Sequence, residues 1–129
     1  MTNIKAYTDL EQSKVFAKIL PLESADMCYL NDGTAIKIDA NSYNVAVQLW
    51  SMCYVEIIPC WSLAALISIL PDEIKHDGIV NNLWITSKDV SYYSIEYDSY
   101  LYCEEGCTID ACFKTIIKLN KLNYKLNLS

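Results

Sequence analysis

The sequence predicts an α+β domain built on a mainly antiparallel sheet. Three observations point there: helical periodicity is confined to three separated segments, β-rich runs lie between them, and the connections are too short for parallel crossovers. The expected architecture has about five or six strands and three helices, in the order α-ββ(ββ)-α-ββ(β)-α. Its 129 residues fall in the usual range of about 100–200 per domain, so a single domain over 1–129 is expected.

The first helix is expected over about residues 9–20. Thr8 and Glu11 have the spacing of a capping box, Leu10, Phe16, Ala17, Ile19 and Leu20 share one face, and Pro21 stops the run. Met27–Leu30 and Thr34–Ile38 flank Asn31-Asp32-Gly33, a hairpin signal. Two further strands are expected, one alternating through Val45, Val47 and Leu49 and a more buried one over Cys53–Ile58. Ser62 is placed to cap a second helix, with Trp61 as a hydrophobic staple on Leu66. Leu63 to Leu70 is apolar except for Ser68, so this helix should be covered on several sides before Pro71 ends it.

Asp72 to Gly78 reads as a loop. Strands are expected near Ile79–Thr86, Ser91–Tyr97 and Tyr100–Cys103. The last helix has the clearest pattern. Thr108 is its expected cap, Ile109, Cys112, Phe113, Ile116, Leu119 and Asn120 mark one face, and Lys114, Lys118 and Lys121 another, the lysines lying towards the end where the helix dipole favours them.

Composition excludes several classes of function. Formal net charge is −6, and every one of the ten basic residues is lysine. Without arginine there is no planar fork for phosphate or guanine, and an acidic surface repels a polyanion, so direct nucleic-acid binding is not expected. The charge is unevenly spread: residues 71–107 hold eight acids and two lysines, a net of −6, and residues 108–129 one acid and four lysines, a net of +3. The plain reading is two solvated faces.

Met52 to Leu70 has the length of a membrane span, but Glu56 and Pro59 lie inside it, and Pro interrupts a helix and favours extended geometry just before itself. A buried strand followed by a short buried helix is the better parsing, and no membrane association is expected. The first residues lack a basic region followed by an apolar run, so a cytoplasmic location is expected, where the six cysteines act as small buried hydrophobes.

Thr8–Ser13, Ile19–Met27, Pro59–Leu66, Asp110–Cys112 and Ile117–Asn123 together resemble an uncharacterised family of small proteins from gut Bacteroidales, often associated with phage or mobile elements. The resemblance implies a shared fold and a phage or prophage origin. It implies no activity and no site, and the stretches Ala40–Cys53 and Val90–Cys107 lie outside its blocks.

Reactive constellations are sparse. Cys103, Cys107 and Cys112 with Glu104 and Glu105 form a cysteine-acid cluster, but a structural zinc site commonly uses two close ligand pairs and no second pair or nearby histidine is visible. No metal or other cofactor is expected. Cys60 lies just ahead of a helix, where a dipole can lower a thiol's pKa, although Pro59, Trp61 and the apolar helix favour a buried, inert group. His76 sits in a charged segment with Asp77 and has no nucleophile at a defined spacing. Three isolated glycines cannot cradle a phosphate.

The tyrosine- and acid-rich stretch Ser91–Glu105 is the remaining feature. Strand alternation that places Tyr93, Ile95 and Tyr97 on the core turns Tyr92, Ser94, Glu96 and Asp98 outward. Tyr92, Glu96, Asp98, Tyr100 and Tyr102 are therefore the candidate surface for a protein partner, because tyrosine adds contact area at low entropic cost. The plainer explanation is β-propensity on a solvated sheet face. A small thiol or redox enzyme using Cys60 or Cys103/Cys107 is one alternative, and an acidic mimic of nucleic acid that blocks a DNA-binding protein is another. The sequence carries no signature of a particular oligomeric state.

Overall fold

In the computed structural model, residues 5–29, 34–37, 58–94 and 99–128 are described. Among them are three α-helices and seven strands, all paired antiparallel, in two sheets. This is the α+β class in the expected order, with the strands divided between two sheets. The chain divides into two compact units: residues 7–65, and residues 66–129 with the first six.

In the first unit, α1 (Leu10–Ile19) begins one residue later than the sequence suggested. Asp9, not Thr8, is its N-cap: the Asp9 carboxylate accepts from Gln12 N at 2.8 Å and the Gln12 side chain accepts from Asp9 N at 3.1 Å. Thr8 is instead fully buried, and its backbone N–H donates to Trp61 O. After a single 3₁₀ turn (Leu22–Ser24), β1 (Met27–Tyr29) pairs with β2 (Ala35–Lys37) and β3 (Ile58–Cys60), giving the order β2-β1-β3. The hairpin pairing across the Asp-Gly signal is as expected, with Tyr29 opposite Ala35. Pro59 lies in β3, an edge strand among the described residues, where its missing N–H need not interrupt a ladder. Residues 38–57, and the strand expected over Val45–Leu49 with them, lie outside the described residues.

Helix α2 (Leu63–Ile69) follows, capped by the Ser62 hydroxyl, which accepts from Ala65 N at 3.2 Å. It is not covered on every side: Ala65, Leu66 and Ile69 are buried while Ala64, Ile67 and Ser68 are exposed. No helix of the described residues is long and apolar enough to cross a membrane.

The second unit is a four-stranded meander followed by a helix. Strands β4 (Glu73–His76), β5 (Ile79–Ile85), β6 (Asp89–Tyr93) and β7 (Ser99–Glu104) pair in sequence order. β4 occupies the segment read as a loop. Only Ile74 of its four residues is buried, too weak an alternation to signal a strand. The turn into β5 is formed by Asp77 and Gly78, both at positive φ, the geometry that suits a two-residue hairpin. Helix α3 (Thr108–Lys121) packs on β6 and β7 through Ile109, Cys112, Ile116 and Leu119. Ala111 and Thr115 join that buried face and Asn120 does not.

Thr108 does not cap α3. Cys107 holds the N-cap position without a side-chain bond, and the Thr108 hydroxyl donates to Ser87 O at 2.8 Å, tying the helix start to the β5–β6 turn. At the other end Asn123 takes φ 64°, and Tyr124 N donates to Leu119 O while Asn123 N donates to Asn120 O, a Schellman closure.

Candidate functional site

The register of the meander settles which side chains share a face. Trp84 on β5, Ser91 on β6 and Tyr102 on β7 are direct cross-strand partners and form one row. The neighbouring rows, Leu83–Tyr92–Leu101 and Ile85–Val90–Cys103, point the opposite way, towards α3. The Trp84 row therefore lies on the outer face of the sheet. Trp84 is 55% exposed and Tyr102 49%.

This register corrects the assignment of Tyr92 to the outer face. It is fully buried, and its hydroxyl donates to Pro71 O at 2.7 Å. The strand's parity is set by Val90, which has to be inside; Tyr92 shares its side, and Tyr93 turns outward. Ser94 is likewise buried. Tyr100 is half-buried, stacked on His76 with ring centroids 3.9 Å apart, and accepts a hydrogen bond from the Tyr124 hydroxyl. A shift of register between Tyr92 and Tyr93 places Tyr93 opposite Ser99 and leaves Tyr100 without a partner on β6. Tyr102 is the candidate that the structure leaves exposed, and Glu96 and Asp98 lie outside the described residues.

The outer face contains a residue that the sequence reading missed, Trp84. Its ring meets Tyr93 edge-on at 5.9 Å, a diagonal pair across β5 and β6. The missing signal was in the β5 pattern. Ile79, Leu83 and Ile85 share one parity, which leaves Val80, Asn82 and Trp84 on the other. Directly beside the aromatic row, Asp89 and Glu104 are cross-strand partners, so two carboxylates oppose one another on the same face. The Tyr102 hydroxyl donates to Glu104 Oε2 at 2.6 Å; that bond, with Asp89 close by, pushes its pKa up to about 12.

The thiols occupy a different setting. Cys60 is fully buried beside Thr8, whose hydroxyl bonds Ser13 at 2.8 Å and reaches Cys60 Sγ at 3.6 Å. Burial pushes the Cys60 thiol up, against the pull of hydrogen bonds from Thr8, Ser13 and Tyr29. Burial also raises Cys28, helped by Cys60, to about 11, and raises Cys112, helped by Cys107, to about 12. A thiolate nucleophile at neutral pH needs the opposite shift. Cys103 faces the helix-covered side of β7 while Cys107 is partly exposed at the start of α3. Among the described residues no three His, Cys, Asp or Glu side chains are grouped to hold a metal ion.

His76 lies 3.4 Å from Asp77 at the β4–β5 turn. With Tyr100 stacked on its ring, it is one member of a surface aromatic cluster rather than of a nucleophile-base pair. Ser62 belongs to a capping network: Asp26 accepts from its backbone N–H at 2.9 Å and from its hydroxyl. The same segment is anchored by the Trp61 indole, which donates to Ser24 at 2.9 Å, and by Phe16 packed edge-on against Trp61. No family model, curated protein or solved structure matches the chain.

Proposed function

We propose that this chain is a small protein–protein interaction module without catalytic activity, and that it docks its partner on the outer face of the β4–β7 sheet. The observation that carries this reading is the row Trp84–Ser91–Tyr102, which sets two large aromatic side chains half in solvent on a regular sheet surface. Tryptophan and tyrosine are the residues most enriched at the energetic centres of interfaces, because burying them gains large area for few frozen rotations. Asp89 and Glu104 beside the row, with the net −6 of residues 71–107, select a basic partner surface and speed its approach. The phage or mobile-element origin implied by the sequence resemblance makes a cytoplasmic host or phage protein the natural partner.

The test is affinity capture from a Bacteroidales lysate with the immobilised full chain, run beside a Trp84→Ala/Tyr102→Ala variant and a Val15→Ala control. Val15 is an exposed apolar residue of α1, in the other unit. A captured protein should be retained by wild type and control and lost with the double variant. Equal capture by all three would overturn the sheet face as the docking surface.

A further inference from the structure

The same face carries a more specific arrangement than an exposed aromatic patch. Ser91 lies between Trp84 and Tyr102 on the middle strand of the row, yet it is only 6% exposed. Its hydroxyl has no hydrogen-bond partner among the described residues, while the buried hydroxyls of Thr8, Thr115 and Tyr92 all have one. No fully buried side-chain oxygen or nitrogen among those residues lacks a partner, so what little of Ser91 reaches the surface includes its hydroxyl. Trp84 and Tyr102 stand on strands two apart, roughly 10 Å between backbones, with Ser91 as the floor between them. Tyr93 braces Trp84 from the side.

Next along the strands come Asp89 and Glu104, directly opposed like charges. Such a pair weakens a sheet unless a cation joins it. Neither carboxylate forms an ion pair among the described residues; the Tyr102 hydroxyl is the group that Glu104 holds. An open hydroxyl, two exposed aromatic rings and two carboxylates that share the Tyr102 hydroxyl but have no cation among the described residues thus converge on one strip of the face.

We propose that this strip is a recognition site for an arginine side chain of the partner protein. It rests on the docking reading above and adds the chemistry of the group docked. A guanidinium is flat and weakly hydrated; it stacks on tryptophan and tyrosine, and its fork of N–H donors matches carboxylates and a hydroxyl acceptor together. An ammonium supplies the charge without the flat stacking surface or the fork. The chain has no arginine of its own, so no residue of this protein competes for the site as a guanidinium.

The experiment titrates the full chain with a short blocked peptide alternating Arg and Ser, and with otherwise identical peptides carrying Lys or citrulline, following the Trp84 indole N–H by NMR. The Arg peptide should bind about tenfold tighter than the Lys peptide, and the neutral citrulline peptide should be weaker still. Trp84→Ala, and separately Asp89→Asn/Glu104→Gln, should each cost the Arg peptide about tenfold, with thermal unfolding confirming that each variant stays folded. Equal affinity for Arg and Lys peptides, or an Arg affinity unmoved by Trp84→Ala, would overturn the arginine site. If either of those peptide results is found while capture is still lost with the Trp84→Ala/Tyr102→Ala variant, arginine recognition falls and docking stands. If capture survives the double variant, both fall.

Discussion

Cys60 stands three residues ahead of α2, where a helix dipole can lower a thiol's pKa, yet its surroundings act the other way. It is wholly buried, as are Cys28 and Cys112, and burial holds all three thiols protonated. Iodoacetamide at neutral pH should therefore modify the partly exposed Cys107 before Cys28, Cys60 or Cys112, as read by mass spectrometry of the native protein. Cys60 reacting ahead of Cys107 would restore the thiol reading. The same shifts set an alkaline limit. Unfolded thiols ionise near 9.0, whereas in the fold Cys28 and Cys112 ionise only near 11 and 12, so the unfolded state loses its protons first. The stability they contribute is complete below about pH 9 and should drain away as pH rises towards 12. A urea midpoint that stayed constant over that range would contradict the role given to burial.

At the scale of elements, the strongly periodic pieces were legible and the weakly patterned ones were not. The three helices and the β1–β2 pairing announce themselves through apolar spacing, proline stops and an Asp-Gly signal in the sequence. β4 did not, because an edge strand with a single buried side chain writes almost no alternation into the sequence. Caps shifted by a residue for a related reason. Thr8 and Thr108 are sound capping residues, but each finds a better bond elsewhere: Thr8 with Ser13 and Trp61, Thr108 with the Ser87 carbonyl. The candidate site was half legible. Strand alternation puts Tyr102 outward as observed, whereas Tyr92 faces inward because Val90, and not Tyr93, fixes the parity of β6. The β4–β5 turn offers a direct test of local reasoning. Gly78 sits at φ +77° with nothing within 4 Å of the position a Cβ would take, so Gly78→Ala meets only backbone strain. It should cost about 1 kcal/mol in urea unfolding. An unchanged midpoint would remove the requirement for glycine at this turn.

Over the whole molecule, charge and topology act together. Residues 71–107 carry eight of the sixteen acidic residues and a net charge of −6, and the β4–β7 sheet presents one side to α3 and the other, with Trp84 and Tyr102, to solvent. The lysines of α3 lie beyond it in sequence: the exposed Lys114 pairs with the half-buried Glu105 at 2.5 Å, a contact of small energetic value. On this face two exposed aromatic side chains stand beside two opposed carboxylates. Hydroxyl-radical footprinting tests docking there most directly, by comparing oxidation of Trp84 and Tyr102 in the free chain and in complex with the captured protein. Strong protection of both side chains in the complex, with Val15 and Leu22 oxidised at unchanged rates, is the predicted result. Unchanged oxidation of Trp84 and Tyr102 in a complex that protects residues elsewhere would contradict the account.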